Sequence, residues 1–329
     1  MTSTPALRAA VHGAPQVSVV IPLYNEVENL PALHEALTWA LGTSGRTYEL
    51  VLVDDGSTDG TRACLRALAA RDPHVRAVLF ARNQGQTAAM AAGFAHARGE
   101  LVVTMDGDLQ NDPADIGRLL RELERGYDIV CGWRRNRKDR FATRLLPSKI
   151  ANKVISWVTG VPIHDTGCSL KAYRSWVPRT LELYSDMHRF IAALAAGVGA
   201  RVSEIPVRHH PRRFGRSKYG LGRIFRVVAD LIVIKMLIQF AAHPLRWFGL
   251  LALPLFVISP LLFAIGAVKI DRDGSLSFAG GFDANFSMAA AVTTLIALNV
   301  ICLGFLAELQ LKVSGFFRRR IAISVKEAR

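Results

Sequence analysis

Three carboxylates follow a hydrophobic run in a chain that is otherwise strongly basic. The stretch reads VVTMDGDLQND and carries Asp106, Asp108 and Asp112. Asp106 and Asp108 are two residues apart in a segment predicted to be extended, so both carboxylates can face one ion, and Gly107 between them lets a ligand approach the backbone. Such a pair suits Mg²⁺ or Mn²⁺, whose other ligands are waters and phosphate oxygens. The plainer alternative is a pair of solvated loop aspartates.

Polar groups also end the other hydrophobic runs of the first half of the chain. Four runs, VSVVIPLYN, YELVLVDDG, VRAVLFARN and ELVVTMDGD, alternate with segments of helical spacing, which predicts an α/β fold with a mostly parallel sheet and helices on both faces. In such sheets ligands bind beyond the carboxyl ends of the strands. Asp54 and Asp55 precede the turn sequence GSTDGT, where a carboxylate either accepts from a base or ribose or only caps the turn. Asp112 precedes Pro113 and is predicted to cap the next helix.

The charge of the chain indicates an anionic partner. Lys and Arg number 41 against 27 Asp and Glu, a formal charge of +14. Such an excess suits nucleic acid, an acidic membrane surface or a phosphate-bearing substrate. Nucleic acid would explain neither the acidic cluster nor the apolar segments below, and the basic segments lack interleaved aromatic residues, so no nucleic-acid partner is predicted. Four scattered cysteines without a C-x-x-C pair favour a reducing, cytoplasmic environment.

Two uncharged segments near the end of the chain predict transmembrane helices. They run over residues 247–268 and 286–306, and each is long enough to cross about 30 Å of hydrocarbon. The flanks outside the pair are more basic than the loop between them, so both termini and the α/β domain are expected on the cytoplasmic side of the inner membrane. Residues 221–243 carry one polar stripe, which predicts a helix in the membrane interface or, alternatively, a core helix.

These features define five predicted regions. They are a flexible N-terminus (1–16), a cytoplasmic α/β domain (17–220), an amphipathic juxtamembrane helix (221–243), a two-helix membrane region (245–310) and a basic cytoplasmic tail (311–329).

The motifs resemble those of inverting family 2 glycosyltransferases, whose nucleotide-sugar domain has the GT-A fold. The resemblance is carried by IPLYNE, VDDGSTDGT, RNQGQTAAMAAGF and MDGDLQNDP, and it extends over residues 17–312. MDGDLQNDP is similar to the metal motif of dolichol-phosphate mannose synthases. SKIANKVISWVTG with HDTGCSLKAYR is similar to the subgroup that includes undecaprenyl-phosphate 4-deoxy-4-formamido-L-arabinose transferase. Thr166 stands where that subgroup has an aromatic residue, so the sugar stays open.

The resemblance implies a role for each matching residue. The base and ribose of the nucleotide would be held by Pro22, Tyr24, Asn25, Glu26, Asp54 and Asp55. Asp106 and Asp108 would hold Mg²⁺ or Mn²⁺ on the sugar diphosphate, with Gln110 close by. Arg134, after the run YDIVCGW, would face the phosphates, and Arg212, Ser217 and Lys218 of RRFGRSK would close over the diphosphate and the acceptor phosphate. Asp165 lies at the acceptor side as a catalytic carboxylate, an acceptor for a substrate hydroxyl or a helix cap.

The implied reaction moves one sugar from a nucleotide sugar to polyprenyl phosphate on the cytoplasmic leaflet. A UDP-sugar is favoured, with GDP-mannose as the alternative, and membrane lipids are the other expected partners. Metal and cationic side chains would stabilise the leaving diphosphate. The acceptor phosphate has a second pKa of about 6, so it is already a nucleophile at neutral pH.

Two other functions are compatible with parts of the sequence. A processive polysaccharide synthase would add more spans and a Gln-x-x-Arg-Trp motif, but His243 stands where Arg246-Trp247 would require Gln. A non-catalytic membrane adaptor that binds nucleotide sugar or anionic lipid would be expected to lose the metal carboxylates, and both are present. No motif defines the oligomeric state, and a homo-oligomer is one option.

Overall fold

The computed structural model describes most of the α/β domain and both apolar helices. The described residues are 13–135, 156, 160–181, 183, 187–197, 199–211, 244–270, 276–278 and 284–313. The chain divides into two compact units, Met1–Ile232 and Val233–Arg329. The predictions for Arg212, Ser217, Lys218, the juxtamembrane helix and most of the two termini lie outside the described residues.

The first unit alternates strands and helices as the sequence predicts. Its strands are β1 (Val17–Leu23), β2 (Tyr48–Asp54), β3 (Val75–Leu79), β4 (Leu101–Thr104), β5 (Ile129–Trp133), β6 (Lys171–Arg174) and β7 (Val202–Pro206). Its helices are α1 (Leu30–Gly42), α2 (Thr61–Arg71), α3 (Gln86–His96), α4 (Ile116–Glu124), α5 (Trp176–Thr180) and α6 (Ile191–Gly197). Two 3₁₀ turns, Pro113–Asp115 and Met187–Arg189, accompany them.

The order of the strands brings distant loops to one edge of the sheet. Within the described residues the seven strands are ordered β3-β2-β1-β4-β6-β5-β7. β6 runs antiparallel to its neighbours β4 and β5, whereas the other adjacent pairs are parallel. Lys171, the first residue of β6, therefore pairs with Thr104 at the end of β4 and also with Cys131. The loop before β6 thus reaches the same edge as the loops after the parallel strands.

Helices cover both faces of the sheet, as predicted. On one face α1, α2 and α4 pack their leucines against β1 and β2, and this core includes Leu33, Leu65 and Leu119. On the other face α3, α5 and α6 pack against alternate side chains of the same strands, with Phe94 and Ile191 among them. The period of two along each strand separates the two cores. This arrangement holds the carboxyl edge of the sheet in place.

The second unit contains the two predicted apolar helices, joined by a hairpin. They are α7 (Pro244–Ala267) and α8 (Ala284–Val313), and both are long and apolar enough to cross a membrane. The hairpin pairs β8 (Val268–Ile270) with β9 (Leu276–Phe278), which the sequence did not suggest. α8 begins before and ends after the predicted span because residues with helical propensity, polar ones included, flank its apolar part.

Gly93 of α3 tests how tightly the helices pack on the sheet. A Cβ atom at this position would collide with the Cγ1 atom of Val20 and would lie 3.3 Å from Cγ2 of Val53. We expect Gly93→Ala to lower the free energy of unfolding by about 1–3 kcal/mol through overpacking. Thermal unfolding in detergent measures the change.

Gly117 of α4 provides the matched control. A Cβ atom there would approach only the Arg121 guanidinium, at 3.7 Å, so Gly117→Ala should be neutral or stabilising by about 0.5–1 kcal/mol. Equal effects of the two substitutions would contradict close contact between α3 and β1.

Candidate active site

The loops after β1 and β2 are joined by hydrogen bonds. The Asn25 N–H donates to Ser57 Oγ (2.9 Å), and the Thr58 N–H donates to Asn25 Oδ1 (2.8 Å). The Glu26 N–H donates to Thr61 Oγ1 (2.9 Å). Asn25 has a positive φ of 56°, a conformation that Asn tolerates better than most residues. Pro22, Tyr24, Asn25 and Glu26, the residues predicted to hold the nucleotide, therefore lie half-buried at the carboxyl edge.

Asp54 has a structural task at the end of β2. Its side chain is fully buried and accepts the Ser57 N–H (3.2 Å) and the Arg62 Nε–H (3.1 Å). The first bond closes the turn and the second forms an ion pair with α2. The turn role that the sequence left open is thus occupied by Asp54, and its role toward the nucleotide stays a prediction.

The neighbouring Asp55 organises the loop after β3. Its carboxylate accepts hydrogen bonds from the Gln84 N–H (2.7 Å), the Gly85 N–H (3.0 Å) and the Asn83 side-chain amide (2.9 Å). Gly56 makes this contact possible, because a Cβ atom there would collide with the backbone between Arg82 and Asn83. Asp55 thus fixes the loop that leads into α3.

The acidic pair lies in a turn and not in an extended strand. β4 ends at Thr104, two residues before Asp106, so the argument from alternation along a strand was wrong. Leu109 follows with a φ of 59°, which is rare for a branched side chain and marks local strain. Gly107 also packs closely, since a Cβ atom there would lie 2.5 Å from Cδ2 of Leu23 and would force that side chain to move.

The surroundings of Asp106 suit a cation. Its Oδ1 accepts a hydrogen bond from Nε2 of Gln86 (2.7 Å), and its N–H donates to Ser169 Oγ (3.2 Å). Burial, and next the charge of Asp108, raise the pKa of Asp106. A divalent cation would relieve this repulsion. Within the described part of the chain no group of three or more His, Cys, Asp and Glu side chains is arranged to hold a metal ion, so Asp106 and Asp108 would leave positions open for waters and phosphate oxygens.

Arg134 is held beside the acidic pair by Asp165. Its Nε and one terminal nitrogen donate to the two carboxylate oxygens of Asp165, at 2.7 and 2.9 Å. Burial opposes the charge of Arg134, but the hydrogen bonds and charge of Asp165 outweigh it and raise the pKa of the guanidinium. The N–H of Asp165 donates to Glu204 Oε1 (2.9 Å). The Asp165 carboxylate orients Arg134, a role that the sequence did not suggest.

Lys171 fastens the loop that carries Asp165. The side chain is almost fully buried, and its ammonium donates to the carbonyl oxygens of Cys168 (2.5 Å) and Thr166 (3.3 Å). The same loop places Ser169 Oγ within 2.8 Å of the Asn111 amide nitrogen. Burial raises the pKa of the Cys168 thiol to about 11, so this cysteine stays protonated and serves packing.

The segment after β7 contacts the chain that follows the acidic pair. Gln110 donates its N–H to Asp108 Oδ1 (3.2 Å), and its carbonyl accepts the His210 N–H (2.8 Å). Asn111 and His209 form an isolated β-bridge. Asp112 accepts the Ala114 N–H (3.0 Å), which confirms its predicted role as a cap.

The structure therefore gathers most of the predicted site residues at one edge and adds others. Asp106, Asp108, Gln110, Arg134 and Asp165 share one neighbourhood, and Glu26 lies next to Gly107. Three contributors were missed as individual residues, namely Gln86, Ser169 and Lys171. All three stand in motifs that the resemblance used, so the motifs signalled them although spacing alone did not.

The Arg134–Asp165 pair can be tested by its contribution to stability. Both side chains are largely buried, at 13% and 9% exposure, so Asp165→Asn leaves an unpaired buried guanidinium. We expect a loss of about 3–5 kcal/mol in the free energy of unfolding, measured by thermal unfolding in detergent. Glu124→Gln, which breaks the more exposed pair with Arg46, should cost only about 0–1 kcal/mol. Similar costs for both would show that Asp165 does not fix Arg134.

Comparison with known proteins supports the same reading of the chain. The family described as Glycosyl transferase family 2 matches residues 18–179. The chain is 42% identical over 299 residues to dodecaprenyl-phosphate galacturonate synthase from Rhizobium johnstonii, and the match covers 89% of this chain and 87% of that protein.

Solved structures share the fold at lower identity. Glucosyl-3-phosphoglycerate synthase from Mycobacterium tuberculosis, crystallised with Mn²⁺, uridine diphosphate and phosphoglyceric acid, has a TM-score of 0.52 and 19% identity, and the match covers 68% of this chain and 78% of that one. Its complex with Mg²⁺ and uridine diphosphate has a TM-score of 0.51 and 18% identity, and covers 68% and 79% of the two chains. The GT-A-like fold predicted from the motifs is thereby confirmed, and the chain belongs to glycosyl transferase family 2.

Proposed function

We propose that this glycosyltransferase moves a single sugar from a UDP-linked donor to polyprenyl phosphate at the cytoplasmic face of the membrane. The observation that carries the proposal is the meeting of opposite charges at the carboxyl edge, where Asp106 lies within electrostatic reach of both Asp108 and Arg134. An anionic diphosphate needs both a cation held by carboxylates and a fixed guanidinium.

On the donor side the chain would hold and orient the nucleotide. Asp106 and Asp108 would hold Mg²⁺ or Mn²⁺, which when bound neutralises charge on the diphosphate. Arg134, kept rigid by Asp165, would donate to phosphate oxygens as the bond to the sugar breaks. The loops after β1 and β2, which carry Asn25 and Asp55, are the proposed base and ribose side.

On the acceptor side no general base is required. A phosphate oxygen of polyprenyl phosphate forms the new bond to the anomeric carbon, and the bond from that carbon to the diphosphate oxygen breaks with its electron pair. The acceptor is largely dianionic at neutral pH, with a second pKa of about 6. Asp165 fits this scheme, because both of its oxygens already accept from Arg134 and it orients a cation instead of removing a proton.

The donor sugar that we propose is a hexuronate. The support is the 42% identity to a protein named as a galacturonate synthase on dodecaprenyl phosphate, over most of both chains. A uronate adds a carboxylate to the donor, and the net charge of +14 suits such a polyanionic substrate. UDP-galacturonate is therefore the first donor to test.

Anchoring in the membrane fits an acceptor that is itself a membrane lipid. The helices α7 and α8 would hold the enzyme where its lipid substrate lies. The basic flanks of the two helices support our proposal that both termini lie on the cytoplasmic side, as the positive-inside rule predicts.

Binding of Mn²⁺ tests the acidic pair directly. We expect Asp106→Asn to weaken Mn²⁺ binding on the order of tenfold or more, because one of two carboxylate ligands is lost. The electron paramagnetic resonance signal of free Mn²⁺ measures the binding. Asp112→Asn, which changes a nearby capping carboxylate, should bind Mn²⁺ like the wild type. Equal binding by all three proteins would remove the proposed metal site.

The reaction is tested by release of nucleoside diphosphate from detergent-solubilised protein. The donors are UDP-galacturonate, UDP-glucuronate, UDP-glucose and GDP-mannose, each with and without undecaprenyl phosphate. We expect release from a UDP-hexuronate that requires the lipid phosphate and is lost in Asp108→Asn but kept in Asp112→Asn, because only Asp108 would hold the metal.

Other outcomes would point to other functions. Release stimulated by oligosaccharides but not by the lipid would favour a polysaccharide synthase. Binding of donor without any release would favour the non-catalytic adaptor. Lipid-dependent release of nucleoside diphosphate from a neutral UDP-sugar would support transfer to the lipid phosphate but would contradict a hexuronate donor.

A further inference from the structure

Helix α8 presents one face to α7. The buried residues of the contact are small and recur every seven positions, as Ala252, Ser259 and Gly266 on α7 and Ala290, Ala297 and Gly304 on α8. Ser259 Oγ is 2.6 Å from Thr294 Oγ1 and donates to the Ala290 carbonyl (2.9 Å). This seam is closely packed, since a Cβ atom on Gly304 would lie 2.7 Å from Cβ of Phe248. The seam satisfies the hydroxyl groups of Ser259 and Thr294, whereas Ser287 Oγ is buried without a hydrogen-bond partner among the described residues.

A second stripe of α8 faces away from this seam. It consists of residues spaced alternately by four and three, namely Met288, Val292, Leu295, Asn299, Cys302 and Leu306, and all six are exposed. Alternating steps of three and four are the spacing of a helix–helix interface. Because each residue turns the helix by about 100°, Asn299 lies on the side opposite to Ala297, two positions earlier.

Asn299 is a polar residue at the middle of an apolar helix. α8 runs from Ala284 to Val313, so 15 residues precede Asn299 and 14 follow it (299 − 284 and 313 − 299). At about 1.5 Å per residue this places the side chain about 20 Å from either end of the helix, within the uncharged segment 286–306. Its neighbours one turn away, Leu295 on the stripe and Leu303 beside it, are both apolar and exposed.

Within the described spans, the side-chain hydrogen bonds join hydroxyl groups to nearby oxygens, and none of them involves the Asn299 amide. Thr293 donates to the Ala289 carbonyl and Thr294 to the Ala290 carbonyl, so both are bonded within their own helix. A primary amide has two donor hydrogens and an acceptor oxygen, and it is costly to leave in hydrocarbon without partners. Two such amides satisfy each other.

We propose that the outer stripe of α8, from Met288 to Leu306, is a self-association surface on which Asn299 bonds to Asn299 of a second copy of this chain. Every copy inserts in the same orientation and so carries its amide at the same depth. A two-fold axis along the membrane normal brings two α8 helices together in parallel with the two amides face to face. Apolar side chains gain little from leaving lipid for one another, so the amide pair determines the register.

This inference rests on the membrane anchoring proposed above and not on the transfer reaction. It therefore needs a measurement that does not use turnover. Cys302 supplies the probe, because it lies on the same stripe one turn from Asn299 and is exposed, whereas Cys64 is half-buried and Cys131 and Cys168 are buried. Oxidation of native membranes with copper phenanthroline joins two Cys302 thiols into a disulfide wherever the stripes meet.

The expected result is a disulfide-linked band of twice the chain mass that disappears in Cys302→Ser. Asn299→Leu should lower its yield about five- to tenfold, as expected for loss of an interhelical amide bond in a membrane. Asn299→Gln keeps the amide and should restore the band at least in part. Thr293→Val removes another polar group of α8 and should leave the yield unchanged.

Two results would overturn the proposal. A band that survives Asn299→Leu at full yield would show that the amide does not hold the copies together. Absence of the band in the wild type, with the protein present in the membrane fraction, would show that another partner or the lipid substrate covers the stripe. Lipid-dependent release of nucleoside diphosphate, measured in parallel, reports separately on the proposed reaction and on the folding of each variant.

Discussion

The repulsion between Asp106 and Asp108 is the constraint around which the carboxyl edge is built. Two carboxylates in one partly buried turn are unfavourable by themselves, and burial raises the pKa of Asp106. Gln86 donates to that carboxylate, and Arg134 and Lys171 place positive charge nearby. Both cations are committed to groups of the loop before β6, so neither one neutralises the pair completely. The remaining negative charge would attract the proposed divalent ion.

The direction of β6 makes this arrangement possible. A wholly parallel sheet would bring to the edge only the loops that follow strands. Because β6 enters at Lys171 beside Thr104, the loop that precedes it lies against the acidic turn and delivers Ser169 and Asp165. The parallel strands β1 and β2 carry the loops proposed to bind the nucleotide. The part of the sheet that contains the antiparallel β6 carries Arg134 and Lys171.

Sequence patterns predicted the parts of this structure that depend on local periodicity. The four apolar runs became β1 to β4, and the two uncharged segments became α7 and α8, because burial on both faces and contact with lipid leave continuous hydrophobic signatures. β6 was not predicted, because it is short and starts with a buried lysine that reads as a surface residue. Asp54 and Asp55 differ in their contacts with residues elsewhere in the chain, and two neighbouring aspartates in a sequence give no sign of that difference.

The ion pair between Arg134 and Asp165 joins residues that are 31 positions apart. β5 ends at Trp133, just before Arg134, and β6 begins at Lys171, six residues after Asp165. The pair therefore ties the chain directly after β5 to the loop before β6. A change in the length of the sequence between Arg134 and Asp165 would therefore leave β5, β6 and the ion pair between their loops in register.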